Sequence, residues 1–210
     1  MVRTPTPGTR DTILTAAAGL FYEHGVRAVG MAQVVEVAGC GKNLLYRHFP
    51  SKADLAAAYL DLVRRERAQS AGEALRWAGT PRERLIALVA ETADWVRRPG
   101  YRGCAFRNYL TEFPGDDDEP ARVAKAYLAD TRAEVDRLVG QLGAAPPDSP
   151  ADRMCAGRMC ADQMWADRVW LVVNGLYASS PDQAQTAVDW VTDLLAESTP
   201  GHRAARRSSA

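Results

Sequence analysis

The stretch GCGKNLLYRHFPSK, residues 39 to 52, gathers three Lys or Arg cations, Tyr46 and Phe49, two glycines and a proline into fourteen positions. Side chains of these types suit a polyanion, because cations and hydroxyls meet phosphate oxygens while amides and guanidinium groups read base edges. On a helix from about Lys42 to His48, Leu45 and Phe49 lie four apart and pack inward. Lys42, Asn43, Tyr46 and Arg47 then face outward. Gly39 suits a left-handed turn, and Gly41 leaves the next helix's first N–H groups open toward a phosphate. Asn43 can bond an adenine bidentately, Leu44 can touch a thymine methyl, and Arg47 can read a guanine or hold a phosphate.

The remaining reactive side chains form no catalytic or metal-binding pattern. Cys40, Cys104, Cys155 and Cys160 lack C-x-x-C spacing. Positions five apart on a helix lie about 140° apart around it, so Cys155 and Cys160 share neither a disulfide nor a metal. Met154, Met159 and Met164 diverge in the same way and read as packing residues. Cys104, between Arg102 and Arg107, is the remaining redox candidate. Asp116 to Glu119 lacks calcium-loop spacing and reads as a solvated loop. His24, His48 and His202 are scattered, and no nucleophile stands with a base at a recognised motif. No catalytic residue, metal or cofactor is expected, and an all-α enzyme acting on a small molecule is the remote alternative.

Apolar residues recur at three- and four-residue intervals almost everywhere, which predicts an all-α chain. Ile13, Leu14, Ala17, Leu20 and Phe21 stripe a first helix with Thr9 as N-cap and Gly25 as stop. A second covers about Met31 to Ala38, with Val34, Val37 and Ala38 inward. The short third follows. Pro50 ends it, and the capping box Ser51 to Asp54 starts a fourth running to about Trp77. Thr80 to Glu83 caps a fifth helix to about Arg98, with Pro81 at its first position. Further helices are expected over about 103 to 113, 120 to 142, 152 to 179 and 181 to 198, with GAAPPDSP as a linker and residues 1–8 and 199–210 as disordered tails.

The formal net charge of the 210 residues is zero, yet it is unevenly spread. Residues 1 to 52 hold six Lys or Arg against three carboxylates, whereas the chain from 101 onward holds 12 against 16. Such asymmetry is expected when one end alone meets a polyanion. No apolar run approaches the ~18 residues that span a bilayer, and no signal-peptide core follows MVRTPTPGTR, so a cytoplasmic protein without a membrane partner is expected.

A short helix, a glycine turn and a second basic helix over residues 30 to 49 make a helix-turn-helix pattern. Together with Ile13-Leu14, Ala17, Leu20-Phe21, Gly25, Val34, Ala38-Gly39, Lys42, Leu45-Tyr46, His48-Phe49 and Ser51-Lys52, it resembles the DNA-binding domain of the tetracycline-repressor (TetR/AcrR) family. The resemblance covers about residues 9 to 60. YRGCAFRNYLTEFP and MCADQMWADRVWLVVNGL resemble the ligand-binding portion of one subgroup. It implies a nine-helix architecture with a DNA-binding domain over 9–50 and a ligand-binding and dimerisation domain over 51–198. By position, Tyr46, His48 and Lys52 match the family's phosphate contacts, Lys42 a phosphate or base contact, and Gln33 and Gly41 complete the expected DNA-facing set. Gly30 stands where the family often has a capping Thr or Ser, while Cys40-Gly41 and Asn43-Leu44 also depart from the usual pattern. The operator sequence is therefore not transferable.

The resemblance also implies a small-molecule effector among aromatic residues of the body, and Trp95, Phe106, Arg107, Tyr109, Phe113, Trp165 and Asn174 are the expected wall. On the ninth helix Ala187, Val188, Val191, Leu194 and Leu195 form an apolar stripe that must be covered by the same chain or a partner. Val188, Val191, Leu194 and Leu195 are expected to bury a homodimer interface. The expected function is a ligand-responsive repressor that binds a palindromic operator as a dimer. An activator or a ligand-independent regulator of the same fold is the alternative.

Overall fold

The computed structural model describes residues 8–143 and 155–197, and every regular element among them is helical. In chain order these are α1 Thr9–His24, α2 Met31–Val37, α3 Lys42–His48, α4 Lys52–Leu75, α5 Pro81–Val96, α6 Ala105–Glu112, α7 Glu119–Gly143, α8 Cys155–Leu176 and α9 Ala184–Glu197. A 3-10 turn, Pro181–Gln183, leads into α9.

Local chemistry accounts for most ends. The Ser51 and Asp54 side chains exchange hydrogen bonds with each other's backbone N–H groups at the start of α4, at 2.9 and 3.1 Å. Thr80 and Glu83 do the same for α5, with Pro81 at the first helical turn. Gly25 and Gly39 close α1 and α2 with φ of 87° and 60°, values at which a side chain is strained. Thr9 is not the N-cap of α1. Gly8 takes that place at φ 95°, and the Thr12 hydroxyl donates to its carbonyl. α4 also stops short of Trp77, which is 88% exposed in the loop that follows.

The described chain divides into two compact units that do not follow the boundaries expected from sequence. One comprises the residues up to 68 together with 102–129, and the other 69–101 together with the residues from 130 onward. In the first, Ile13, Leu14, Ala17 and Phe21 of α1 are buried with Val34 of α2, Leu45 and Phe49 at α3, and Leu55, Tyr59 and Leu60 of α4. Phe21 meets Tyr59 edge to face at 5.8 Å. Fully burying side chains of this size contributes about 1.5–3 kcal/mol each, which fixes the short α2 and α3 where isolated seven-residue helices would melt. Val37 is the exception to the expected inward set: it is 60% exposed, while Ala38 is half-buried.

The second unit has its own core, in which Leu85, Val89, Ala93 and Val96 of α5 cluster with Leu138 of α7, Val169 and Val173 of α8, and Val191 and Leu195 of α9. This corrects the expected dimer stripe. Val191 and Leu195 are 0% and 3% exposed, covered by their own chain, and Val188 packs partly buried against the same cluster. Leu194 is half-buried. The large apolar side chains that α8 and α9 leave outward among the described residues are Met164, Leu171 and Trp190, with Leu142 of α7 and Trp77 also exposed in this unit. The linker after residue 143, the tails, and the side chains of Met154, Cys155, Met159 and Cys160 lie outside the described residues.

Candidate nucleic-acid interface

α3 begins at Gly41, whose extended backbone and missing side chain leave the first turn without a side-chain cap. Its inner face is Leu45, with Phe49 at its end, both essentially inaccessible. That anchoring turns Lys42, Asn43, Tyr46 and Arg47 outward on adjoining positions, with Leu44 half-buried beside them. The Lys42 ammonium lies 5.9 Å from the Tyr46 ring centroid, a cation–π distance that keeps the two side chains together. α3 carries no carboxylate, so the only charges on its outer face are the cations of Lys42 and Arg47.

The flanking residues are less free than their types suggest. Gln33 is exposed on α2, but its amide oxygen accepts the Gly30 N–H at 2.7 Å, the reciprocal half of a capping box, while Gly30 has no side chain to supply the other half. His48 is half-buried with Nε2 enclosed and without a hydrogen-bond partner, so a phosphate contact through that atom requires the ring to turn. Lys52, at the start of α4, donates one ammonium hydrogen to the Arg27 carbonyl at 3.1 Å, leaving two for a phosphate. Burial lowers its pKa, and the nearby Glu112 carboxylate opposes that shift. Arg10 lies over the Phe49 ring at 4.9 Å and ties the start of α1 to the end of α3.

Sequence reasoning missed how α6 holds this unit together. The Tyr22 hydroxyl of α1 accepts the Arg102 N–H at 2.9 Å and donates to the Gly103 carbonyl at 3.1 Å. Glu112, at the end of α6, accepts the Arg27 N–H at 2.6 Å. A Cβ on Gly25 would stand 2.9 Å from the Glu112 carboxylate, so a side chain there would push that carboxylate aside. The Arg27 guanidinium covers the Phe113 ring at 5.0 Å. These partners lie about 80 residues apart in sequence, and no local signal announces them.

The expected effector residues fall in different units. In the first, Phe106 stacks on Tyr127 at 3.8 Å, and Tyr109 stacks on Phe113 at 4.7 Å. The Tyr109 hydroxyl donates to Asp118 at 2.8 Å; burial first, then Asp118, pushes its pKa up. Arg107 is half-buried on the same helix. Trp95, Trp165 and Asn174 belong to the second unit. There the Trp95 indole donates to Ser70 at 3.3 Å and lies under the Arg98 guanidinium, while Trp165 packs against the core cluster. Cys104 is buried at the start of α6, and burial pushes its thiol up, away from the reactive thiolate. Among the described residues no group of three or more His, Cys, Asp or Glu is arranged to hold a metal, and no helix is long and apolar enough to cross a membrane.

A basic helix held by two others, with a glycine turn before it, has the geometry of a helix-turn-helix motif. Residues 13–59 match the family model for bacterial regulatory proteins of the tetR family, so this part of the chain is similar to that family's DNA-binding domain. It is 34% identical over 112 residues to the HTH-type transcriptional activator FasR of Mycolicibacterium smegmatis, a match covering 52% of this chain and 51% of that one. It is 42% identical over 53 residues to the HTH-type transcriptional regulator TtgR of Pseudomonas putida, covering 25% of each. These matches thus span about half or less of the relatives' length. The crystal structure of SCO4454, a TetR-family transcriptional regulator from Streptomyces coelicolor, superposes with a TM-score of 0.75 at 24% identity, covering 91% of this chain and 96% of that chain, a likeness of fold.

Proposed function

We propose that the chain is a cytoplasmic transcriptional regulator that binds a roughly palindromic operator as a homodimer and responds to a small-molecule effector. The outward strip Lys42, Asn43, Tyr46 and Arg47, anchored from beneath by Leu45 and Phe49, carries the reading. Its cations and phenol hold phosphates, its amide reads a base edge, and its brevity suits a groove that only the first turns can enter. Repression is the first reading of sign. Activation is the second, favoured by the relative named as the activator FasR.

A second copy of the chain would cover Met164, Leu171 and Trp190, the large apolar groups that α8 and α9 leave outward. A two-fold dimer sets two recognition helices on one DNA face about 34–36 Å apart, or a multiple of that. The effector would act by differential affinity: a ligand that prefers the conformation unable to bind DNA weakens operator binding by the factor that DNA weakens ligand binding.

Fluorescence anisotropy on a labelled duplex from the region flanking its own gene, against a shuffled duplex and across a salt series, tests the reading. Shuffle-sensitive binding that Tyr46→Ala and Arg47→Ala weaken is expected. Equal, salt-erased binding to both duplexes would count against an operator in that region.

A further inference from the structure

We infer that Glu112 is a positioning residue for DNA binding: through the backbone of Arg27 it sets where the Lys52 ammonium stands. This rests on the DNA-binding reading above, with Lys52 as a phosphate contact. The Arg27 backbone is held on both its polar groups, one on each of the two peptide units that flank its Cα. Its N–H is held by the Glu112 carboxylate at 2.6 Å and its C=O by the Lys52 ammonium at 3.1 Å. All three residues lie in the same compact unit.

The loop has apolar pins as well, since Val26 and Val29 are 4% and 1% exposed. Those pins fix its depth but leave the orientation of the two peptide units around Arg27 to their hydrogen bonds. Gly25 shows how closely the carboxylate is seated, because even a methyl group there would collide with it. On the other side Tyr22 brackets the backbone of residues 102 and 103, so α6 is held at both ends and Glu112 does not drift. The carboxylate also borders an open cleft of about 510 Å³ lined by Tyr22, His24, Arg27, Arg102 and Thr111, so removing it admits water to the Arg27 N–H rather than leaving that group unpaired. The expected consequence is a misdirected lysine in a folded protein.

Counterion release separates this role from general support. Each phosphate contact contributes roughly 0.9 to the slope of log affinity against log salt. With the flanking and shuffled duplexes, Lys52→Ala and Glu112→Ala should each make the slope shallower by about 0.9 per half-site, and the double variant no shallower than either. Glu112→Gln keeps an acceptor for the Arg27 N–H and should keep the native slope. Glu112→Asp, which retracts the carboxylate but preserves folding chemistry, should behave like Glu112→Ala, and covers the case in which the latter does not fold. A native slope in Glu112→Asp and Glu112→Ala, or losses that add in the double variant, would overturn the inference while leaving DNA binding intact. A native chain that binds neither duplex at low salt would overturn both readings together.

Discussion

Leu45 and Tyr46 are neighbours in sequence and opposites in environment: the first is fully buried, the second 40% exposed. Truncating Leu45 to Ala leaves a cavity among α1, α2 and α3 and should cost about 2–5 kcal/mol in urea unfolding. Tyr46→Ala touches no core and should change stability by less than about 0.5 kcal/mol while weakening operator binding. The contrast follows from the 100° step of a helix, and it was legible in the sequence as soon as Leu45 and Phe49 were paired. Val37 shows the limit of the same rule. Three residues beyond Val34 it has the phase of an inward residue, yet it is the last residue of α2 and is 60% exposed. Periodicity states which way a side chain points, but coverage depends on how far the neighbouring element extends.

Among elements, the capping boxes were the most legible, because both partners lie within four residues. Thr80→Ala removes the acceptor of the Glu83 N–H and should lower stability by about 1 kcal/mol. Hydrogen bonds from Thr80 and then Gly79 hold the Glu83 carboxyl below its ordinary pKa. A depressed carboxyl stabilises the fold above its unfolded pKa and loses that contribution as pH falls through the folded one. The stability difference between native chain and Glu83→Gln should therefore narrow in acid, read by thermal unfolding on either side of the carboxylate range. Gly25→Ala should cost more, about 1–3 kcal/mol, because its φ of 87° and ψ of 150° suit glycine alone and the new methyl meets Glu112. The strain was predictable from a glycine at a helix end, but the collision was not, since Glu112 lies 87 positions on.

At the scale of the molecule, the apolar stripe of α9 was expected to meet a second copy, and half of it meets the chain's own α5 instead. A helix stripe must be covered, yet its sequence does not say by what. The outward groups Met164, Leu171 and Trp190 are the ones whose change should alter assembly. Leu171→Asp should shift the protein toward monomer in light scattering with little loss of fold, and operator affinity should fall with it because two linked half-sites bind more tightly than one. Val191→Asp, by contrast, should unfold the second unit, since it places a charge at a fully buried position.

Helical periodicity, capping motifs and glycine stops are local, and so the all-α class, the bounds of α3 and the sorting of its residues into buried anchors and outward groups were determined by sequence alone. The uneven charge of the two ends belongs to the same level. Contacts between residues 80 or more apart were decided only by tertiary structure: the grip of Glu112 on Arg27, the bracket of Tyr22 on residues 102 and 103, the burial of Val191, and the allocation of the expected effector residues to different units. The physical reason is that a helix's own hydrogen bonds and side-chain phase are settled within four residues. Which surface covers an exposed stripe, and which carboxylate reaches a loop amide, are settled by packing among all the helices at once.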